Sequence, residues 1–200
     1  MKLYYCPGAC SLTQHIILHE AGLPHELESV DLQTKTTSGG KDFFTINSKG
    51  YVPALALDNG KILTEGVVIS QYLADLKPES NLLPAEGEAR YEVLEWMSFI
   101  STELHKTLGT LFNPAVKGEW REAVVAQLTR RLEWLAEALG EKTTLNGKHF
   151  TIADAYLITV LNWSRFVDFD LGKWPAIQRY MTNLAQRPAV QAALKAEGLI

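Results

Sequence analysis

Apolar and polar residues follow two different rhythms along this chain. Over the first 78 residues, short apolar runs are broken by turn signals. Lys2–Tyr5 is a β-prone run halted at Pro7-Gly8. Cys10–Ala21 carries Leu12, Ile16 and Ala21 on one side of a predicted helix, which Gly22-Leu23-Pro24 stops. Glu26–Val30 alternates like a half-buried strand, and Asp42–Asn47 predicts a short helix. The apolar runs Tyr51–Leu57 and Lys61–Leu63 flank Asp58-Asn59-Gly60. Asn-Gly there predicts a hairpin, because both residues tolerate the positive φ of a tight turn. Val67–Leu76 predicts a further helix. The order β-α-β-α-β-β-α needs a crossover for the parallel pair and only a tight turn for the last pair.

From residue 88 onward the period is helical throughout. Tyr91, Leu94, Leu104, Leu108 and Leu111 mark one long amphipathic helix, and Trp120, Val124, Leu128, Leu135 and Leu139 a second that Gly140 ends. Thr151-Ile152-Ala153-Asp154 opens a third, with Thr151 as cap and Asp154 reaching back to its amide. Ile177, Tyr180, Met181 and Leu184 mark a fourth, stopped at Arg187-Pro188. Lys77–Gly87, with two prolines and a glycine, is the predicted linker. Three segments follow: an α/β domain over 1–78, a linker over 79–87, and an all-helical domain over 88–200.

Composition narrows the class. With 200 residues, about 70% of the extended chain's surface is buried on folding, enough for a sizeable core. Two cysteines cannot staple a secreted scaffold. A net charge of -4 gives no reason to expect nucleic acid or an anionic membrane as partner. Residues 1–78 carry 6 basic and 8 acidic side chains and residues 79–200 carry 13 and 15, so charge does not separate the two parts. Tryptophan and cysteine do: all five tryptophans lie in the second part, and Cys6 and Cys10 in the first ten residues. No apolar run approaches a membrane span, and MKLYYCPGAC has no signal-peptide core. A cytoplasmic globular protein is expected.

Four places can carry chemistry. Cys10-Ser11 opens a helix, where unpaired amides and the macrodipole stabilise an anion. A thiol there is either reactive or simply a small buried side chain. Cys6 lies too far from Cys10 for the two-residue redox spacing and is read as structural. Val52-Pro53 marks a strand end whose free backbone can pair with an extended ligand, or an ordinary edge proline. Thr64-Glu65-Gly66 precedes a helix, so Glu65 is a buried acid for an α-amino group, or else Thr64 or Glu65 is a cap. Glu103-Leu104-His105-Lys106 puts His105 and Lys106 at the edge of an apolar face, as donors or as solvated residues. His15 and His19 are one turn apart, but no carboxylate or cysteine completes a metal set. They are read as surface residues, and no metal is expected. Tyr4 and Tyr5 are read as packing residues.

Together these segments resemble the cytosolic glutathione S-transferases, and within them the bacterial beta class. The resemblance rests on Tyr4-Tyr5-Cys6-Pro7-Gly8-Ala9-Cys10-Ser11-Leu12, Gly50-Tyr51-Val52-Pro53-Ala54-Leu55, Leu63-Thr64-Glu65-Gly66-Val67, Glu103-Leu104-His105-Lys106 and Phe150-Thr151-Ile152-Ala153-Asp154-Ala155-Tyr156. It implies a thioredoxin-like α/β N-terminal domain, an all-α C-terminal domain, and a homodimer binding glutathione between domains. It further implies a cis Val52–Pro53 bond, with the Val52 backbone pairing to the cysteinyl unit of glutathione. Glu65 and Gly66 would hold the γ-glutamyl end, and Lys35 the glycine carboxylate. Ser98, Thr102, Glu103 and His105 complete the implied glutathione set, Ser98 standing where some members carry an asparagine. Cys10, His105 and Lys106 would lie at the glutathione sulfur. Phe112, Trp163 and Phe166 are the candidates for a small hydrophobic electrophile.

The implied task is to ionise a bound thiol. At neutral pH only a few per cent of such a thiol is thiolate, and lowering its pKa by two units takes about 2.7 kcal/mol. Three functions compete on these residues: conjugation of glutathione to electrophiles, thiol–disulfide or peroxide reduction through Cys10, and ligand binding without turnover.

Overall fold

In the first part every predicted strand finds a partner. The computed structural model describes residues 1–200, which divide into two units: Met1–Ala85 with Pro188–Ile200, and Glu86–Arg187. In the first unit the central strand β1 (Lys2–Tyr5) pairs parallel with β2 (Glu26–Asp31). On its other side it pairs antiparallel with β4 (Ala54–Ala56), and β5 (Ile62–Thr64) follows. With an edge strand β3 (Thr36–Thr37), the sheet order is β3-β2-β1-β4-β5. That edge strand lies outside the predicted strands, because two threonines among polar residues carry no apolar alternation. The predicted hairpin forms at Asp58-Asn59-Gly60, where Gly60 has φ 82°. Asp42–Asn47 becomes one turn of 3₁₀ helix, with the Asp42 carboxylate accepting from the Phe44 amide.

Helix α1 (Leu12–Glu20) crosses from β1 to β2 and packs against α2 (Gly66–Asp75) and α8 (Pro188–Ala196). With neighbours on several sides, all residues from Leu12 to Leu18 are buried. Each aliphatic side chain so buried contributes about 1.5–3 kcal/mol. His15 is among them, so its reading as a surface residue is corrected. The expected boundaries also shift. Residues 188–200, expected in the helical domain, fold with the first unit. Val190 and Ala193 of α8 are buried, and Glu197 bonds both His15 and the Gly8 amide. Within the expected linker, Leu82 and Leu83 are buried as well.

The second unit is helical. It comprises α3 (Glu88–Phe99), a π-helical stretch Ile100–His105, α4 (Lys106–Thr110), α5 (Gly118–Leu139), α6 (Ile152–Asn162), a 3₁₀ turn Trp163–Phe166 and α7 (Pro175–Ala185). The single helix predicted across residues 91–111 is therefore broken in phase by the wider π turn. Helix α6 is buried from Ile152 to Leu161. Its start carries the predicted capping pair: the Asp154 carboxylate accepts from the Thr151 amide and hydroxyl, both at 2.8 Å. Asp154 also accepts from the Leu145 amide and the Tyr180 hydroxyl. Burial pushes its carboxyl pKa up, and these donors oppose that rise. No helix is long and apolar enough to cross a membrane.

Candidate functional site

The first unit gathers its candidates around the N-terminus of α1. Pro7–Cys10 turns tightly, with the Ala9 amide on the Cys6 carbonyl at 3.0 Å and Gly8 at φ 71°. Buried Ser11 locks this turn: its hydroxyl accepts from the Cys6 amide at 3.1 Å and donates to the Cys6 carbonyl at 3.3 Å. Half-buried Cys10 is thereby aimed at the cis Val52–Pro53 bond, and its thiol donates to the Val52 carbonyl at 3.2 Å. The strand end predicted at Val52 offers a free carbonyl to a ligand; in the fold that carbonyl accepts from the thiol, consistent with the need of a buried strand-end carbonyl for a donor.

Gly66 stands next to this pair. A Cβ on it would lie 3.3 Å from Gln14 Nε2 and 3.7 Å from Pro53 Cγ, so its lack of a side chain permits a close approach. Gln14 Nε2 donates to the Gly66 carbonyl at 2.9 Å and the Ser70 hydroxyl at 2.8 Å, tying α1 to the start of α2. Glu65 differs from both of its sequence readings. Its side chain is 65% exposed, pairs with Lys49 and makes no cap bond to α2. Its backbone, at φ 71° and ψ 111°, is one that residues with a Cβ rarely adopt, which costs on the order of 1–3 kcal/mol. Such strain tends to collect at binding sites. Lys35 donates from Nζ to the Gly50 carbonyl at 2.9 Å and lies 5.5 Å from the Tyr51 ring centroid. It thus reaches the loop that leads into Val52.

Cys6 packs beside a buried cluster of Tyr4, Val30, Phe43, Val52 and Ala54. Burial, then the charges of Glu197 and Asp31, push its thiol pKa up, which suits a packing side chain.

In the second unit His105 ends the π turn, a feature often found at functional positions. Its Nδ1 lies 2.5 Å from the Tyr156 hydroxyl, and its ring meets Trp163 edge-on at 4.7 Å. Burial, and secondarily the charge of Lys106, lower its pKa to about 4. His105 is therefore a neutral imidazole at neutral pH. Lys106, Ser98 and Thr102 are exposed. The Thr102 hydroxyl donates to the Ser98 carbonyl, and Arg131 donates to the Glu103 carboxylate at 2.5 Å. Phe112 meets Trp163 edge to face at 6.0 Å, whereas Phe166 is 64% exposed.

Gln14 and Tyr156 carried no assigned role in the sequence. A glutamine inside an apolar helix is the one signal that pointed to Gln14. Tyr156 meets His105 only through the tertiary fold.

Two family models match the chain: the glutathione S-transferase N-terminal domain over residues 7–76 and the C-terminal domain over 99–188. Glutathione S-transferase GstA of Escherichia coli O157:H7 is 50% identical over 200 residues, all of both chains. Glutathione S-transferase GST-4.5 of Xanthomonas campestris pv. campestris is 35% identical, again over 100% of each. Among solved structures, the sphingomonad glutathione S-transferase complexed with glutathione superposes with TM-score 0.94 at 45% identity, covering 100% of both chains. The bacterial beta class enzyme of Sphingomonas chungbukensis gives 0.95 at 42%, with the same coverage.

Proposed function

Because the chain belongs to the glutathione S-transferase family, in its bacterial beta class, we propose that it joins the sulfur of glutathione to small hydrophobic electrophiles. Glutathione is its co-substrate, and the protein acts as a cytoplasmic homodimer. Exposed Phe44, Tyr51 and Val68 on the first unit are apolar side chains of the kind subunit interfaces cover.

The observation that carries this reading is the Cys10–Val52 pair at 3.2 Å, set at a helix N-terminus beside the cis Val52–Pro53 bond. A peptide-like ligand laid along Val52 would take up that strand-end backbone and bring its own thiol to the start of α1. There the macrodipole favours its thiolate. The thiol proton passes to solvent. The thiolate pair then forms a carbon–sulfur bond to the electrophile, and the leaving group departs with its bonding pair. Gly66 and Glu65 would hold the γ-glutamyl end, and Lys35 the glycine carboxylate. In the helical unit, Phe112 on Trp163 offers apolar surface for the electrophile, and we assign His105 and Lys106 to its reacting end. Neutral His105 acts there as a hydrogen-bonding group rather than as a cation.

The test is retention on immobilised glutathione together with conjugation of an aromatic halide. Retention with turnover is expected. Retention without turnover on a panel of electrophiles would leave a binding protein, and loss of retention would remove glutathione altogether.

A further inference from the structure

Helix α1 carries His15 and His19 one turn apart, and His25 sits just ahead of β2. The fold closes the three rings on one another, with centroids 5.0 Å apart for His15 and His19, 5.7 Å for His15 and His25, and 5.4 Å for His19 and His25. One ring nitrogen from each lies within 4.8 Å of the other two. The His15 side chain is wholly buried, and its Nδ1 is 2.9 Å from a Glu197 carboxylate oxygen that is buried too. His25 Nδ1 is 2.8 Å from the Leu23 carbonyl. Both acceptors call for a proton on Nδ1 and so turn Nε2 into a lone-pair donor. Nε2 of His15 and Nε2 of His19 are buried and have no hydrogen-bond partner.

A buried polar atom left unpaired costs about 1–3 kcal/mol, and two of them belong to histidines of this cluster. We propose that His15, His19 and His25 bind a divalent transition-metal ion of the zinc class, with solvent completing its coordination. Three imidazoles are a ligand set that zinc, copper and nickel accept, whereas calcium and magnesium require oxygen. The surrounding contacts match the outer arrangement of metal-bound histidines, whose second nitrogen donates to a carboxylate or a backbone carbonyl. Ligand nitrogens around a tetrahedral ion stand about 3.3 Å apart, given metal–nitrogen bonds of about 2.05 Å. The ring nitrogens, within 4.8 Å of one another, therefore draw together by up to about 1.5 Å. Half-buried His19 and His25 can make that movement and leave one side of the ion open to water. The reading of His15 and His19 as a pair lacking further ligands is thereby revised. The third imidazole lies past the turn that follows α1, and the outer carboxylate lies 182 residues along the chain.

Titrating the full-length protein with Zn²⁺, in a buffer free of thiols and glutathione, tests the site. One ion per chain is expected, with a raised unfolding temperature because the metal binds only the folded state. His19→Ala and His25→Ala each abolish tight binding, Glu197→Gln weakens it by about 10–100-fold, and His149→Ala leaves it unchanged. Co²⁺ in place of Zn²⁺ gives visible bands of a nitrogen and oxygen set. A sulfur-to-cobalt charge-transfer band would assign the ion to Cys6 or Cys10 and overturn the proposal. So would an absence of Zn²⁺ binding, or binding that persists in both histidine variants. None of these outcomes depends on turnover of glutathione.

Discussion

The Cys10 thiol donates to the Val52 carbonyl at 3.2 Å, across the N-terminus of α1. A thiol in that bond is protonated, and a ligand pairing with Val52 would release it. Conjugation needs only the sulfur of glutathione. Reduction of a glutathione mixed disulfide needs the Cys10 sulfur to attack, form its own disulfide with glutathione and expel the partner thiolate. A second glutathione then regenerates Cys10 as oxidised glutathione leaves. Cys10→Ala is therefore expected to keep conjugation of an aromatic halide within about 10-fold, well short of the roughly 10²–10⁴-fold that losing a general acid–base group costs. It loses mixed-disulfide reduction altogether. Assays of both reactions on one preparation decide it. A parallel loss of conjugation would make Cys10 a principal activator of glutathione.

His105 links buried packing to pH. Its pKa falls from 6.5 to about 4 because burial disfavours the cation. The folded chain thus takes up this proton less readily than the unfolded chain. Stability is complete above pH 6.5 and is lost as pH drops toward 4, by up to about 3 kcal/mol. Denaturant midpoints for the protein and for His105→Gln, measured at neutral pH and near pH 4.5, isolate this part. The variant should show the smaller acid loss. Equal losses would mean that His105 titrates in its ordinary range.

Glu65 separates binding from stability. Its φ of 71° suits glycine, and its exposed pair with Lys49 contributes little. Glu65→Gly is expected to raise stability by about 1 kcal/mol through relief of backbone strain. The same change removes the carboxylate proposed for the α-amino group of glutathione, so KM for glutathione rises by about 10-fold or more, as for a lost charge-assisted hydrogen bond. Urea unfolding and glutathione saturation curves measure the two effects. A stability gain with unaltered KM would place the γ-glutamyl contact elsewhere.

Features written within a few adjacent residues were legible in the sequence. The Asn59-Gly60 hairpin, the Thr151/Asp154 cap and Cys10 at a helix start each depend on local chemistry that the fold retains. Features created by distant partners were not. Thr36-Thr37 becomes a strand only because Val30 and Asp31 lie alongside. The π turn at Ile100–His105 keeps an apolar pattern close enough to that of an α-helix to pass as one. The exposed position of Glu65 follows from its backbone angle and from Lys49, neither of which periodicity encodes. His15 looked like a polar residue on a short helix. Burial against α8 and the approach of His25 and Glu197 make it the centre of a cluster.

Asp154 is the point on which the start of α6 depends. It is fully buried, and its two carboxylate oxygens accept from the Leu145 amide, the Thr151 amide and hydroxyl, and the Tyr180 hydroxyl. Replacing it with alanine strands four donors in a dry interior. We expect Asp154→Ala to cost about 3–5 kcal/mol, the range for breaking a buried charged network. Tyr180→Phe removes one donor while the other three remain, and should cost about 1–2 kcal/mol. In the double variant the Tyr180 hydroxyl is no longer left unpaired, so the total should fall short of the sum of the two single losses. Equilibrium denaturation of the three variants measures that coupling, and strict additivity would show that the two side chains act independently.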